Sequence, residues 1–196
     1  MGPRLKLGSR LVGSWEALLV AACVTGTAVW TILGTTAGLP ATLLAGLPVA
    51  WAAAFALAWH RMRRAPAPRF IFHRHAAVGL AMAVLLAQTT GARSPVVLDV
   101  WAIASAAGLA VGRVGCHRGG CCAGRPARIG PRYPMLGGDR HLPVQLLESA
   151  WCLTLAVAAC ACQDLFTPGV TGIAVICAYV MVRVPLQRLR QGTPHS

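Results

Sequence analysis

The chain has 196 residues, of which 56% are hydrophobic and 12% are charged, and its formal net charge is +13. Soluble domains carry about a quarter charged residues, so this composition excludes an ordinary soluble globular protein and indicates an integral membrane protein. The positive charges stand between apolar runs and no RNA- or DNA-binding motif is visible, so we expect anionic lipid head groups, and not nucleic acid, as partners.

Apolar runs close to the length that crosses a bilayer as a helix recur along the chain. We predict an all-α, polytopic transmembrane helical bundle that forms a single integral membrane domain over residues 1–196. The predicted spans are residues 11–33, 39–59, 70–90, 94–112, 143–162 and 168–186. A loop rich in Gly, Arg and Cys, residues 112–142, joins the fourth of these six spans to the fifth.

The N-terminal residues resemble a signal peptide because Arg4, Lys6 and Arg10 precede an apolar run. That run is too long for a signal-peptide core and has no obvious cleavage site, so we expect a retained first helix. Positive charge at both ends and in the second and fourth connections favours six spans with both termini inside.

The fourth predicted span is rich in small residues between Ala102 and Ala110 and also carries Asp99. Small residues let membrane helices approach each other closely. We therefore expect this helix to lie centrally in the bundle and to deliver Arg113 at its end.

Arginines of the loop are candidates for binding a phosphate, because the planar guanidinium group donates two parallel hydrogen bonds. The candidates are Arg113, Arg125 and Arg140, and Glu148 is the expected ion-pair partner of one of them. Gln145 lies three residues before Glu148 and shares its helical face. A purely structural Arg–Glu bridge between two helices is the alternative interpretation.

Cysteines and histidines of the loop allow a second kind of site. Zinc sites favour Cys and His at short spacings, and the possible ligands here are Cys116, His117, Cys121 and Cys122, with His141 as a candidate fourth ligand. A disulfide from Cys116 to Cys121 or Cys122 is the other possibility if the loop is extracytoplasmic.

The third span opens with Phe72-His73-Arg74-His75. Histidine is the side chain best suited to moving protons near neutral pH. Residues two apart do not share a helical face, so at most one of the two histidines faces a site, and an interfacial histidine pair is the alternative.

Three blocks of the chain resemble the prolipoprotein diacylglyceryl transferase family. Gly112-Arg113-Val114-Gly115-Cys116, followed by Gly120-Cys121-Cys122-Ala123-Gly124-Arg125-Pro126, is similar to a variant family signature, G-R-[IV]-G-C-F-x-x-G-C-C-Y-G-[KR]-P. Leu142-Pro143-Val144-Gln145-Leu146-Leu147-Glu148-Ser149 resembles the family's H-P-S-Q-L-Y-E-A. Phe72-His73-Arg74-His75-Ala76-Ala77-Val78-Gly79 stands where the family has F-H-G-G-L-x-G.

The resemblance implies a multi-pass enzyme of the bacterial plasma membrane that needs no cofactor. Such an enzyme moves the diacylglyceryl group of phosphatidylglycerol to the lipobox cysteine thiol of a prolipoprotein, and glycerol phosphate leaves. Arg113 would bind the lipid phosphate and stabilise its leaving charge, His73 would be the base for the thiol, and Glu148 would complete the catalytic set. The predicted substrate-binding residues are Cys116, Arg125, Arg140 and Gln145.

The chain departs from the family pattern at several positions. Cys116 replaces the asparagine of the main signature, Arg74-His75 replaces a glycine pair, and Leu142, Val144 and Leu147 replace the family's histidine, serine and tyrosine. The family places its signature loop on the outer face, whereas the charge pattern here favours the inside. The alternative functions are a divergent member with another thiol or hydroxyl acceptor, and a non-enzymatic membrane protein with a metal or disulfide cluster.

Overall fold

The computed structural model describes residues 4–7, 10–64, 72–120, 122–133 and 136–190 of the chain. Side chains are described for residues 16–53, 56, 77–120, 122–133 and 136–190. Within these ranges the chain forms a short β-hairpin followed by six α-helices.

The hairpin precedes the first helix and differs from the sequence prediction. Strand β1, Arg4–Leu7, pairs antiparallel with β2, Arg10–Gly13, with Arg4 opposite Gly13. Helix α1 therefore starts at Ser14, whereas the first span was predicted to begin at residue 11. Gly13 disfavours an earlier start because glycine loses more conformational freedom in a helix than any other residue.

The helices confirm a helical membrane bundle. After α1, Ser14–Thr36, they are α2, Ala41–Arg64; α3, Phe72–Thr90; α4, Ser94–Arg118; α5, Val144–Cys162, which continues into a 3-10 turn, Gln163–Leu165; and α6, Val170–Leu189. In the described part of the chain, α1, α4, α5 and α6 are long and apolar enough to cross a membrane. The apolar parts of α2 and α3, Ala41–Ala53 and Ala77–Thr90, are shorter, so the number of spans, six, stays a prediction.

Helix α4 lies at the centre of the bundle, as its small residues predict, and contacts α1, α3, α5 and α6. Its backbone comes very close to two neighbours. A Cβ on Gly108 would lie 2.9 Å from the carbonyl oxygen of Ala22 in α1, and one on Gly172 of α6 would lie 2.9 Å from that of Leu98. Glycine at both contacts allows an approach that a larger residue would prevent.

One cluster of the hydrophobic core lies toward the start of α4, and another packs α4 against α5 and α6. In the first cluster, Trp30 and Leu43 pack with Ala83, Val97 and Val100. Helix α4 is antiparallel to α5 and parallel to α6, because an ion pair joins the end of α4 to the start of α5 and a side-chain cap joins the starts of α4 and α6. The end of α4, the start of α5 and the end of α6 therefore share the opposite end of the bundle, where the loop between α4 and α5 also lies.

Asp99 of α4 caps the N-terminus of α6. Its Oδ2 accepts a hydrogen bond from the backbone N–H of Gly169 at 2.7 Å, and its Oδ1 accepts one from that of Gly172 at 2.6 Å. The first backbone N–H groups of a helix have no partner within the helix, and a negative charge is favourable at that end. Asp99 therefore joins two helices and satisfies backbone donors that have no partner within α6.

Substitution Asp99→Asn should destabilise the protein, because the amide keeps only one acceptor oxygen and loses the charge. We expect the free energy of unfolding to fall by about 1–3 kcal/mol, seen as a lower melting temperature of the detergent-solubilised protein. Asp164→Asn is the matched control, since Asp164 is exposed in the 3-10 turn. Equal melting temperatures for the two variants would show that the cap contributes little.

Candidate active site

Helix α4 continues to Arg118, whereas the fourth span was predicted to end at residue 112. Gly112 lies inside the helix, and a Cβ there would only make van der Waals contact with Ala22. The helix ends at the next glycine pair, where Gly120 has a φ of +68°. Cys116 and His117 are consequently helical residues and not loop residues.

The site is organised around the carboxylate of Glu148, which is 1% exposed in the first turns of α5. Its Oε1 lies 3.0 Å from Arg113 Nη2 and accepts a hydrogen bond from the Tyr179 hydroxyl at 2.9 Å. Its Oε2 accepts from Arg183 Nη1 at 3.2 Å and from Arg190 Nη2 at 2.6 Å. The predicted pairing of Glu148 with a loop arginine is thus confirmed for Arg113, and α6 supplies the other partners.

Glu148 and its four partners, Arg113, Tyr179, Arg183 and Arg190, form what we call the Glu148 centre. This centre carries more positive than negative charge. Three guanidinium groups surround one carboxylate, which leaves an excess of two positive charges. Among the described residues, the Nε atoms of Arg113, Arg183 and Arg190 are buried without a hydrogen-bond partner. Buried charges and donors are costly unless they are paired. The centre is therefore suited to accept a further anion.

The contribution of α6 follows from its sequence, although sequence reasoning missed it. Tyr179 and Arg183 are four residues apart on one face of α6, and Arg190 directly follows the helix as its C-terminal cap residue in an extended conformation. In the sequence, the positive charge at this end of the chain indicates only the orientation of the last span. The four-residue spacing of Tyr179 and Arg183 within a largely apolar helix was the available signal.

A second polar layer lies one helical turn from the Glu148 centre. His117 follows Arg113 by one turn of α4, and Gln145 precedes Glu148 by one turn of α5. Tyr133 of the loop joins them, because its hydroxyl lies 2.9 Å from His117 Nδ1 and 3.3 Å from Gln145 Oε1. Gln145 is fully buried, and the Tyr133 ring meets the imidazole edge to face at 5.6 Å.

Arg125 and Arg140 lie outside the Glu148 centre. Both are exposed. Arg125 attaches the loop to the end of α6, since its backbone N–H donates to the Leu189 carbonyl and its Nη2 to the Arg188 carbonyl, both at 2.9 Å. Arg140 donates to the Gly130 carbonyl at 3.2 Å. Their predicted contact with substrate stays a prediction.

The possible metal ligands do not form a cluster in the described part of the chain. No group of three or more His, Cys, Asp or Glu side chains there could hold a metal ion. His141 is 2% exposed, and its Nδ1 donates to the Gly124 carbonyl at 2.9 Å. Cys116 is half-buried and Cys122 exposed, whereas Cys121, and with it its proposed disulfide or metal contact, lies outside the described residues.

His73 belongs to the first turn of α3. Its side chain lies outside the described residues, so its role as a base stays a prediction.

Substitution Glu148→Gln should destabilise the protein strongly, because three guanidinium groups then lose their shared counter-charge. Removing one partner of a buried ion pair costs about 3–5 kcal/mol, and we expect a correspondingly lower melting temperature. Added inorganic phosphate should restore part of the loss by supplying negative charge. Asp139→Asn, in the exposed part of the loop, is the control, and equal stabilisation of both variants by phosphate would contradict an anion-accepting centre.

Comparison with known proteins places these residues in a family. The family model of prolipoprotein diacylglyceryl transferase matches residues 70–194, which is more than half of the chain. The matched region contains α3 to α6, the loop and all four partners of Glu148. No curated protein matches the chain. The chain belongs to the prolipoprotein diacylglyceryl transferase family.

Proposed function

We propose that this protein transfers the diacylglyceryl group of an anionic glycerophospholipid, phosphatidylglycerol, to the lipobox cysteine thiol of a prolipoprotein in a bacterial plasma membrane. Membership of the family implies a membrane transferase.

The excess positive charge around Glu148 is the observation that carries this proposal. The lipid donor has a phosphate diester with one negative charge, whereas the departing glycerol phosphate is a monoester that gains a second. A buried centre with two uncompensated positive charges stabilises this developing charge more than the charge of the bound donor. Catalysis depends on such a difference between the transition state and the ground state.

The proposed reaction is a nucleophilic substitution at a carbon of the lipid's glycerol backbone. The acceptor thiol loses its proton to a base, and the sulfur attacks the glycerol carbon that carries the phosphate. A carbon–sulfur bond forms as the carbon–oxygen bond breaks, and the bond electrons leave with glycerol phosphate. Arg113 and its neighbours would hold the phosphate, and the family resemblance makes His73 a candidate for the base.

The place of the centre supports access by both substrates. Glu148 lies near the start of α5 and Arg113 near the end of α4, so the centre is close to one end of the helices and not in the middle of a span. Phosphate groups of lipids and the polar part of a lipobox peptide both meet a membrane protein at this level.

Substitution Arg113→Ala should abolish transfer while the protein still inserts and folds, because Glu148 keeps its contacts with Tyr179, Arg183 and Arg190. We expect a loss of about 10²-fold or more, as for removal of a donor to a developing oxyanion. The assay is release of glycerol phosphate from labelled phosphatidylglycerol in the presence of a lipobox peptide.

Arg128→Ala is the matched control, since Arg128 is an exposed arginine of the same loop, and it should transfer at the wild-type rate. If the Arg113→Ala variant transferred at the same rate as the Arg128→Ala control, the proposed role of Arg113 in binding the phosphate would be wrong. A lipobox peptide with Ser in place of Cys tests the alternative acceptor. Faster transfer to the Ser peptide than to the Cys peptide would show that the acceptor is a hydroxyl group and not a thiol.

A further inference from the structure

The hydrogen bonds between His117, Tyr133 and Gln145 determine which imidazole nitrogen carries the proton. Gln145 Oε1 can only accept, so the Tyr133 hydroxyl donates its single hydrogen to it at 3.3 Å. The phenol oxygen must then accept from His117 Nδ1 at 2.9 Å. These bonds assign the proton of the neutral imidazole to Nδ1 and leave a lone pair on Nε2.

The basic nitrogen of His117 remains available to a ligand. Nδ1 makes the hydrogen bond of this ring in the described part of the chain, and the side chain is only half-buried. By contrast, His141, whose imidazole also contacts Tyr133, is buried. Of the two histidines, His117 is therefore the one that can contact a substrate.

His117 also lies beside the proposed phosphate site. It stands four residues after Arg113 on the same face of α4, while Gln145 stands three residues before Glu148 on α5. The ion pair and the His117–Tyr133–Gln145 chain are therefore adjacent layers between the same two helices. A thiol that attacks a lipid held at Arg113 has to approach within a few ångströms of this layer.

We propose that His117 takes the proton of the acceptor thiol through Nε2, with Tyr133 and Gln145 as positioning residues that hold the imidazole in this tautomer. The inference rests on the transferase function proposed above. The thiol proton moves to Nε2, the sulfur attacks the glycerol carbon as the bond from that carbon to the phosphate oxygen breaks, and glycerol phosphate leaves with the bond electrons. The imidazolium later returns the proton to solvent. The arrangement parallels catalytic histidines whose second nitrogen is fixed by a hydrogen-bonded neighbour.

The test compares two acceptors, a lipobox peptide with cysteine and the same peptide with selenocysteine, whose selenol is already ionised at neutral pH and needs no base. The tested variant is His117→Asn, because the introduced amide can still donate a hydrogen bond to Tyr133. We expect it to transfer to the cysteine peptide about 10²-fold more slowly than wild type, and to the selenocysteine peptide within about tenfold of wild type.

Tyr133→Phe keeps the aromatic contacts and removes the hydroxyl that fixes the tautomer, so it should show a smaller loss with cysteine and recover with selenocysteine. His73→Asn is the comparison variant. Recovery by selenocysteine in His73→Asn alone would assign the base to His73 and overturn the proposal. Equal losses of His117→Asn with both peptides, or no loss with cysteine, would also overturn it.

A wild-type protein that transfers to neither peptide would refute the proposed function and with it this role of His117. Transfer by the wild type with an unaffected His117→Asn variant would refute the role of His117 alone. Nitrogen-15 NMR of the labelled protein provides a readout independent of transfer. It should show Nε2 of His117 unprotonated in the wild type and a changed tautomer ratio in Tyr133→Phe, whereas a protonated Nε2 in the wild type would contradict the geometry.

Discussion

Burial of the Glu148 carboxylate among three guanidinium groups is the interaction on which this end of the bundle depends. The carboxylate sits on α5, and its partners come from α4 and from α6. In a membrane the attraction between such charges is weakly screened, but each charge alone is expensive to bury. The three helices are therefore held in one arrangement, since separating any of them would leave a charge without its partner.

The two interpretations of Arg113 that the sequence left open describe the same group of atoms. The Arg113–Glu148 contact is a bridge between helices, with an Nη2 to Oε1 distance of 3.0 Å. Because Arg183 and Arg190 bind the same carboxylate, the bridge does not consume the available positive charge. A centre that holds the helices together can thus still attract a phosphate.

Sequence reasoning predicted the parts of the structure that depend on local patterns. The small residues of α4 predicted its central place, and the motif around Arg113 and Glu148 predicted their pairing and the family. It did not predict that Asp99 caps α6 at Gly169 and Gly172, because this contact joins residues about 70 positions apart. It also did not predict that α4 extends through Gly112 to Arg118, because glycine's low helix propensity favours an earlier end.

The order of the charged residues along the chain has a consequence for biogenesis. Helices α4 and α5 are consecutive, so Arg113 and Glu148 can enter the lipid together as a neutral ion pair within one helical hairpin. Arg183 and Arg190 come later in the chain and have no acidic partner in α6 itself. Their charge is first compensated when α6 docks against the inserted hairpin, so late docking of this helix would complete the membrane-embedded structure.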